Sequence, residues 1–401
     1  MPSDILDELL SLPADVRPVA LEGRWLEGYP DGCWVAANPT SILEGSSDAL
    51  GELPAWLANH SQKYPDGAAI GFLSYELARH IESLQLATDS SLPDVSFAYY
   101  PRLQRLGVET ASVPKPTKVI GAGSAIDFKT YHRAVEKIRS YIAAGDIYQA
   151  NLTIPFWAEL GNEPPEMIYR RLRCSGAPFR ALIKTPERTI LSNSPERFFR
   201  VTGNQILTSP IKGTTARDPH EPERSVAALL ASEKDRAENL MIVDLLRNDL
   251  GRICEYASIR ARLWDTEILP QLIHLVSHVE GTLRPGVGIL EILRAIFPCG
   301  SITGAPKIRA MEILAEIEQS PRGVSMGAIG IIRSAAGQDG CRMDFNVAIR
   351  TMIIKEGKAL FNVGGGIVYD SDAVSEYGEV MLKAQPLFEA LGAHPTVSSR
   401  Q

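Results

Sequence analysis

The stretch "TILSNSPERFFRVTGNQILTSPIKGTT", Thr189 to Thr215, decides the fold class of this chain. Segments rich in Ile, Leu, Phe, Val and Thr alternate in it with Ser-Pro and Gly-Asn pairs, which are typical of turns between β-strands. The stretch has no helical pattern between one strand and the next. Runs of strands that lack a regular β-α-β alternation favour antiparallel sheets.

Further strand-like segments lie on both sides of this stretch, with predicted helices interspersed among them. The strand-like segments are "GCWVAA", "AAIGFLSYELA", "DIYQANLTIPF", "FRALIKT", "MGAIGIIRS", "MDFNVAIRTMIIK" and "ALFNVGGGIVYD". The predicted helices are "FKTYHRAVEKIRSYIAAG", "KDRAENLMIVDLLRNDLG", "ILEILRAIF", "APKIRAMEILAEIE" and "SDAVSEYGEVMLKAQPLFEAL". The pattern predicts an α+β protein built on large, mainly antiparallel sheets.

Composition limits the possible functions. The chain has 401 residues, 45% of them apolar, which is enough for a large core and, by length alone, for two or three domains. Its net charge is −7 and it has no long basic run, so a nucleic-acid partner is not expected. The first thirty residues carry acidic side chains, and no uncharged apolar stretch approaches about 20 residues. We therefore expect a cytoplasmic protein without a membrane partner.

A segment rich in Pro, Lys and Gly divides the chain. We place a linker at residues 117–125, between an N-terminal region of strands with a few helices (1–116) and a C-terminal region (126–395). The five cysteines show no CxxC spacing, so they predict neither a disulfide framework nor a zinc site. They are expected to be reduced packing residues.

Two predicted helices carry carboxylates that need an explanation. Glu238 lies on the apolar face of its helix and so needs a partner, which could be an arginine or a hard cation such as Mg²⁺. Glu376 and Glu379 lie one turn apart on the last helix, with Lys383 four residues after Glu379. A solvated charged face explains that helix alone, whereas one Mg²⁺ held by both helices explains the two together.

Several segments are suited to hold an anion, although each alone is a weak signal. The loop "GSITGAPK" runs into a helix whose first turn has free N–H groups. The glycines of "VGGGIV" allow close backbone approach, and Arg350 offers a bidentate fork for a carboxylate, unless it is a surface arginine. Lys212, in the predicted turn "SPIKGTTAR", adds an amine.

His274 and His278 lie four residues apart in a strand-like segment and therefore face the same way. This spacing would allow the two histidines to bind one metal ion, but no third His or Cys follows at a suitable distance. A buried, hydrogen-bonded histidine is the favoured interpretation.

Taken together, these segments resemble the chorismate-utilising enzymes, a family that includes anthranilate synthase component I, aminodeoxychorismate synthase component I and the isochorismate and salicylate synthases. The resemblance covers nearly all of residues 126–390 and is looser over the N-terminal region. It rests on blocks in the family's order: "DIYQANLT", "SNSPERF", "SPIKGTTAR", "AENLMIVDLLRNDLGR", "HLVSHVEGTL", "FPCGSITGAPKIRAMEIL", "MDFNVAIRT", "GGGIVYDSD" and "EYGEVMLKA". It implies an anthranilate synthase component I-like fold, in which two large, mainly antiparallel sheets pack together, are flanked by helices and are completed by the N-terminal region.

The resemblance also implies a branch of the family. The turn after "SPERF" reads PIAGT in most anthranilate synthases and PIKGT in many aminodeoxychorismate synthases, so Lys212 indicates the second group. In that reaction a lysine amine attacks C2 of chorismate and expels the C4 hydroxyl, and ammonia then attacks C4 and expels the lysine. Glu196 of "SPERF" is implied as the acid that protonates the leaving hydroxyl.

The remaining site residues follow from the same resemblance. Glu238 and Glu379, with Glu376 close by, match the ligands of a Mg²⁺ cofactor. The residues implied in binding chorismate are Arg350, Gly364, Gly365, Gly366, Ser301, Thr303, Gly213, Thr214, His274 and Lys383. His274 matches a base for pyruvate elimination, a step expected to be silent here. Ammonia is expected from solution or from a glutamine amidotransferase subunit, component II, because this sequence has no glutaminase motif.

This sequence departs from the family at Ser325, where an aromatic residue near the substrate carboxylate is common. It also lacks a clear LLES motif, of which "SILEG" at Ser41 to Gly45 is a faint echo, so tryptophan inhibition is not expected. Two rival functions stay open. One is another chorismate enzyme, anthranilate or isochorismate synthase, and the other is a catalytically silent chorismate-binding subunit.

Overall fold

The computed structural model describes residues 5–26, 32–107, 113–116, 119–218, 220–269, 272–334 and 341–394. Within these ranges the strands are β1 (Val19–Gly23), β2 (Gly32–Ala36), β3 (Ser41–Gly45), β4 (Ala68–Leu73), β5 (Val95–Tyr100), β6 (Gln104–Gly107), β7 (Gly121–Ser124), β8 (Gln149–Glu159), β9 (Phe179–Lys184), β10 (Thr189–Ser194), β11 (Arg197–Thr202), β12 (Gln205–Ser209), β13 (Ile211–Ala216), β14 (Arg260–Ile268), β15 (Leu272–Thr282), β16 (Gly304–Ala305), β17 (Ala328–Ser334), β18 (Cys341–Val347), β19 (Thr351–Lys355) and β20 (Lys358–Ile367). The α-helices are α1 (Ile5–Leu10), α2 (Ser47–Lys63), α3 (Ala78–Ile81), α4 (Phe128–Ala143), α5 (Pro165–Leu172), α6 (Pro222–Ala231), α7 (Glu233–Gly251), α8 (Ile289–Ile296), α9 (Lys307–Ile317) and α10 (Ala373–Leu391).

The strands form two large antiparallel sheets, which confirms the predicted fold class. The first sheet has ten strands in the order β16-β8-β20-β19-β10-β9-β1-β2-β6, with β7 paired to β8. The second sheet also has ten strands, in the order β13-β15-β12-β11-β18-β17-β4-β5-β3, with β14 paired to β15. Long-range pairs such as β8–β20 and β11–β18 are antiparallel in both sheets.

The stretch Thr189–Thr215 forms β10 to β13 and crosses from the first sheet to the second after β10. Its strands are as predicted, but the segment predicted as a turn around Lys212 is a strand, β13. The pairing of β13 with β15 shifts register between Ile211 and Thr214. Gly213 lies in this irregularity with φ +94°, a conformation that glycine adopts without strain. The glycine that predicted a turn therefore lies at an irregularity inside a strand.

Strands of the N-terminal region take part in both sheets. β1 pairs with β9 in the first sheet, and β4 pairs with β17 in the second. Part of the predicted linker, residues 117–125, is the strand β7, whereas residues 117 and 118 lie outside the described residues. The division of the chain into two regions stays a prediction.

Apolar side chains fill three layers of core. One cluster lies between the two sheets and includes Leu21, Phe72 and Ile331. A second packs the outer face of the first sheet against α4, α5, α9 and α10, as Phe361 and Phe388 illustrate. A third packs the second sheet against α2, α7 and α8. The two sheets therefore pack face to face, and helices cover the outer face of each sheet.

Two smaller sequence predictions can be compared with the structure. Within the described residues, no helix has both the length and the apolar character needed to cross a lipid bilayer. The cytoplasmic location stays a prediction. None of the five cysteines forms a disulfide, but Cys174 is exposed, so the expectation of a packing role is wrong for that residue.

Candidate active site

Glu196 lies at the crossing between the two sheets, after β10 and before β11. Its backbone is fixed by hydrogen bonds, because its N–H donates to Ser194 Oγ at 3.1 Å and its carbonyl accepts from Val347 N at 3.0 Å. Only 3% of the residue is exposed. Burial raises the pKa of Glu196 to about 7, although a hydrogen bond from Ser301 and the charge of Lys212 lower it. A carboxyl group with this pKa can give and take a proton near neutral pH.

Lys212, in β13, extends its partly buried amine toward β20 of the other sheet. An ideal Cβ built on Gly366 of β20 would lie 3.5 Å from Lys212 Nζ. Burial lowers the pKa of Lys212, an effect that Glu238 opposes and Lys383 strengthens. The direction of this shift is toward the neutral form, which is the nucleophilic form of an amine.

Two helices bring carboxylates to the same region. Glu238, on α7, is 3.9 Å from Lys234 Nζ, and its side chain is 21% exposed, so the arginine partner considered from the sequence is replaced by a lysine. On α10, Glu379 Oε1 is 2.6 Å from Lys383 Nζ. Burial alone would raise the pKa of Glu379, but Lys383, Lys234 and Lys212 bring it below its ordinary value.

Glu376, one turn before Glu379, is more deeply placed. It is 7% exposed, and its Oε1 accepts a hydrogen bond from Ser371 Oγ at 2.7 Å. Burial raises the pKa of Glu376, while the Ser371 hydroxyl lowers it. The helix that carries both residues begins at Asp372, whose side chain accepts from Ser375 N at 2.9 Å.

The predicted Mg²⁺ site can be tested against these positions. No group of three or more His, Cys, Asp or Glu side chains in the described part of the chain is arranged to hold a metal ion. Lys234, however, lies beside Glu238 and also lowers the pKa of Glu376 and Glu379. Carboxylates of α7 and α10 therefore surround one region, and two such ligands suit Mg²⁺ when substrate and water supply the rest. The metal stays a prediction.

Arg350 and His274 form a second, positively polarised part of the site. Arg350 follows β18 with φ +49°, and its guanidinium has no carboxylate partner among the described residues. His274 is 1% exposed, and its Nδ1 is 2.8 Å from Thr214 Oγ1. Burial, with the nearby charge of Arg350, lowers the pKa of His274 to about 3, so the ring is neutral at neutral pH. His278 contacts Ser209 instead.

The loop from Cys299 to Thr303 closes another side. Ser301 Oγ lies 3.3 Å from Cys299 Sγ, and its hydroxyl is the group that hydrogen-bonds Glu196. Thr303 is fully buried, and its hydroxyl donates to the carbonyls of Cys299 at 3.1 Å and Gly300 at 3.2 Å. Ser301 thus reaches the candidate acid, whereas the hydroxyl of Thr303 holds the loop itself.

The glycines Gly364–Gly366 lie in β20, opposite Asn151 to Thr153 of β8. An ideal Cβ on Gly366 would be 2.4 Å from Gln149 Nε2, and one on Gly365 would be 3.5 Å from Glu376 Oε2. Lys383 Nζ donates to the carbonyl of Gly364 at 3.4 Å. The glycines therefore leave room where side chains from both sheets converge.

Gln149 is a site residue that the sequence interpretation missed. It is fully buried, and neither atom of its side-chain amide has a hydrogen-bond partner among the described residues. Glu196 Oε1 and His274 Nε2 are also buried without such a partner. Buried polar atoms without protein partners indicate a ligand or water. The available signal was a polar residue in the otherwise apolar strand "QANLTIPF".

Ser325, which departs from the family pattern, is buried beside the same strand. Its hydroxyl donates to the carbonyl of Asn362 at 3.1 Å and accepts from Asn362 N at 3.0 Å. The serine therefore fixes β20 just before the glycines.

An open cleft of about 500 Å³ lies next to this site but is distinct from it. Its lining includes Pro195, Arg197 and Ile211, which are the sequence neighbours of Glu196 and Lys212. Successive side chains along a strand point to opposite faces, so the cleft and the two candidate catalytic groups are on opposite sides of the backbone.

A buried acid, an amine with a lowered pKa, an arginine without a carboxylate partner in the described part of the chain, and carboxylates from two helices make up the candidate site. The chain belongs to the chorismate binding enzyme family, whose model matches residues 33–389.

Relatives within the family are similar over most of their length. The chain is 34% identical to aminodeoxychorismate synthase component 1 of Bacillus subtilis, covering 90% of this chain and 86% of that protein. It is also 34% identical to anthranilate synthase component 1 of Streptomyces coelicolor, covering 89% of this chain and 80% of that protein. The structure of anthranilate synthase component I from Streptococcus pneumoniae superposes with a TM-score of 0.77 at 29% identity and covers 90% of this chain and 93% of that one. The chain is thus a chorismate-utilising enzyme, and its relatives include enzymes named for different reactions.

Proposed function

We propose that this chain is the chorismate-converting component of a cytoplasmic aminodeoxychorismate synthase, which makes 4-amino-4-deoxychorismate from chorismate and ammonia for p-aminobenzoate and folate synthesis. The observation that carries the proposal is Lys212, a partly buried amine with a lowered pKa next to Glu196, the buried carboxyl group whose pKa is about 7. Similarity to relatives named aminodeoxychorismate synthase component 1 supports it.

The proposed chemistry uses these two groups in turn. The neutral amine of Lys212 bonds to C2 of chorismate, both conjugated ring double bonds shift by one position, and the C4–O bond breaks as Glu196 gives its proton, so that water leaves. The alkylated amine then returns a proton to Glu196. Ammonia bonds to C4, both ring double bonds shift back, and the C2–N bond breaks as Glu196 gives its proton to the departing lysine amine. The new ammonium group at C4 then returns a proton to Glu196. The sum is chorismate plus ammonia giving aminodeoxychorismate plus water.

The other residues hold the substrate. The guanidinium of Arg350 has no carboxylate partner among the described residues and can bind a carboxylate of chorismate with its bidentate fork. The free amide of Gln149 and the backbone of Gly364–Gly366 offer further hydrogen bonds. Glu238 and Glu379 would hold Mg²⁺, which when bound supplies a positive charge for the second substrate carboxylate.

A glutamine amidotransferase subunit is proposed as the source of ammonia. The name "component 1" of the relatives supports a separate second component. Purified chain should use ammonium but not glutamine, and an added amidotransferase subunit should allow glutamine to replace ammonium. Release of ammonia from glutamine by this chain alone would contradict the proposal.

Product analysis tests the reaction. The chain is incubated with chorismate, Mg²⁺ and ammonium, with and without a lyase that releases pyruvate from aminodeoxychorismate. The expected product is aminodeoxychorismate, which becomes p-aminobenzoate only with the lyase. Anthranilate, isochorismate or unchanged chorismate would each identify one of the rival functions instead.

Variants of Lys212 test the mechanism. Lys212→Ala should lose most product formation yet bind chorismate, and Lys212→Arg should be equally inactive because a guanidinium keeps the charge but is not a nucleophile. Without ammonia, the wild-type protein should accumulate a chorismate-derived adduct on the peptide that contains Lys212, measurable by mass spectrometry. Substantial activity of the Arg variant, with no adduct, would show that the lysine acts only through its charge.

A further inference from the structure

Arg322, between α9 and β17, is a buried guanidinium that joins separate parts of the chain. Its side chain is 2% exposed and donates to Glu318 from Nε at 2.7 Å and from Nη2 at 2.8 Å. It also donates to two backbone carbonyls, Ile302 at 2.8 Å and Asn151 at 2.7 Å. Its Cζ lies 4.5 Å from the ring centre of Tyr75.

The two carbonyls belong to two neighbouring segments of the candidate active site, the Ser301–Thr303 loop and the strand β8. Ile302 lies between Ser301 and Thr303 in the loop that reaches Glu196. Asn151 lies opposite Gly366 in the pairing of β8 with β20, and its N–H donates to the carbonyl of Thr303 at 2.7 Å. The guanidinium therefore adds a second link between the loop and β8, the strand that pairs with the glycines of β20.

Both ends of the Arg322 side chain are held in place. Glu318 Oε1 accepts from Thr153 N at 2.8 Å and from Thr153 Oγ1 at 3.0 Å, and Thr153 lies opposite Gly364. At the backbone end, the N–H of Arg322 donates to Glu76 Oε1 at 2.7 Å. The guanidinium consequently has a fixed position relative to both segments.

Net stabilisation is a poor explanation for this arrangement. A buried ion pair often contributes no more to stability than apolar residues of the same size, because both charges lose their hydration. What the planar fork of arginine provides is fixed direction. Arg322 makes two hydrogen bonds to one carboxylate and two to carbonyls, whereas the ammonium of lysine has only three N–H donors, which do not lie in one plane.

We propose that Arg322 is a positioning residue, which sets the separation between the Ser301–Thr303 loop and Gly364–Gly366 and so keeps Ser301 in contact with Glu196. The inference rests on the proposed function, since it takes these two segments as walls of the chorismate site. Arg322 itself need not touch the substrate.

The test compares Arg322→Lys with a matched control, Arg171→Lys. Arg171 is also a buried arginine, 2.8 Å from Glu163 and 2.5 Å from the carbonyl of Ala390, but its partners are not part of the candidate site. Both variants should lose stability. Only Arg322→Lys should lower kcat/KM for chorismate, by about 10²-fold, when measured well below both unfolding midpoints. Glu318→Gln, which keeps an acceptor for the guanidinium, is the milder second variant if Arg322→Lys does not fold.

Amide hydrogen exchange provides a readout that does not depend on turnover. Peptides covering residues 149–153 and 300–305 should exchange faster in Arg322→Lys, or in Glu318→Gln, than in Arg171→Lys.

Kinetic constants equal to those of the control overturn the proposal. If the wild-type protein makes another product from chorismate, the proposed reaction is wrong but the comparison of kcat/KM still decides the role of Arg322. If it consumes no chorismate, equal exchange in the variants overturns the proposal.

Discussion

At the scale of single residues, the ionisation of Glu196 links the chemistry to the stability of the fold. Its pKa is about 7 in the folded protein and 4.5 ordinarily, so between these pH values the folded state binds more protons than the unfolded state. The free energy of unfolding therefore falls as the pH rises from 4.5 to 7, and the loss is complete above pH 7.

Glu196→Gln should remove this loss, because glutamine does not ionise. We expect the variant to be more stable than the wild type at pH 8, by up to about 3 kcal/mol, and to have little advantage at pH 4. Urea unfolding at the two pH values measures the difference. If the substitution changed the free energy of unfolding equally at the two pH values, Glu196 would titrate as an ordinary carboxyl group in the folded protein.

The sequence identified Lys212 and Glu196 only through family resemblance, because their individual motifs carry no distance information. It missed Gln149, since a polar residue in a strand is usually explained by an exposed face or an edge. Only the fold shows that this amide is buried beside Gly366 without a partner. Likewise, Arg322 lies in "SPRGV", which looks like a polar turn until its contacts are seen.

At the scale of elements, β20 depends on its glycines for space rather than for backbone freedom. In Gly366→Ala the new methyl group would lie 2.4 Å from Gln149 Nε2 and 3.5 Å from Lys212 Nζ. Because the closest contact is the end of a side chain, the amide shifts and the fold survives. We expect kcat/KM for chorismate to fall at least about tenfold.

Gly51→Ala is the matched control for this substitution. Gly51 is exposed in α2, and an added Cβ meets no atom within 4 Å. This variant should keep wild-type activity and gain about 0.5–1 kcal/mol of stability, as expected for alanine in a helix. Equal activity of Gly366→Ala and Gly51→Ala would show that β20 does not approach the substrate.

The two helices α7 and α10 are expected to act together through Mg²⁺. Glu238→Gln and Glu379→Gln should each weaken Mg²⁺ binding in calorimetry and lower turnover at least about tenfold, with the fold intact. Glu389→Gln, at an exposed position of α10 where Glu389 contacts Gln385, is the control. Full wild-type activity in excess EDTA would rule out the metal.

Element types were more predictable than their arrangement. The strands around Thr189–Thr215 follow from local composition, but β13 was predicted as a turn because Pro210 and Gly213 are turn residues. In the fold, the irregular pairing with β15 absorbs the positive φ of Gly213. Such pairing is set by a strand about sixty residues away, which local patterns do not describe.

At the scale of the whole molecule, we expect the C-terminal region to need the N-terminal region in order to fold, because strands of both regions pair in each sheet. A chain starting at residue 119 would lose β1 beside β9 and β4 beside β17. It would also expose the core between the sheets, including Phe179 and Ile331. We expect this truncated chain to aggregate or to lack cooperative unfolding by circular dichroism. Co-expression of residues 1–116 should restore soluble protein, whereas a stable, monomeric truncated chain would support two independent domains.

The position of β20 between β8 and β19 also determines when the first sheet can form during protein synthesis. β8 is synthesised long before β20, and at 5–20 residues per second it waits roughly 10 to 40 s for that neighbour. During this interval an apolar strand has an unpaired edge, which is a site for aggregation. Folding of the first sheet must therefore be mainly post-translational, and we expect soluble yield to depend on chaperones and on growth temperature. The amine of Lys212 can therefore meet Gly366 only after about 150 further residues have been synthesised.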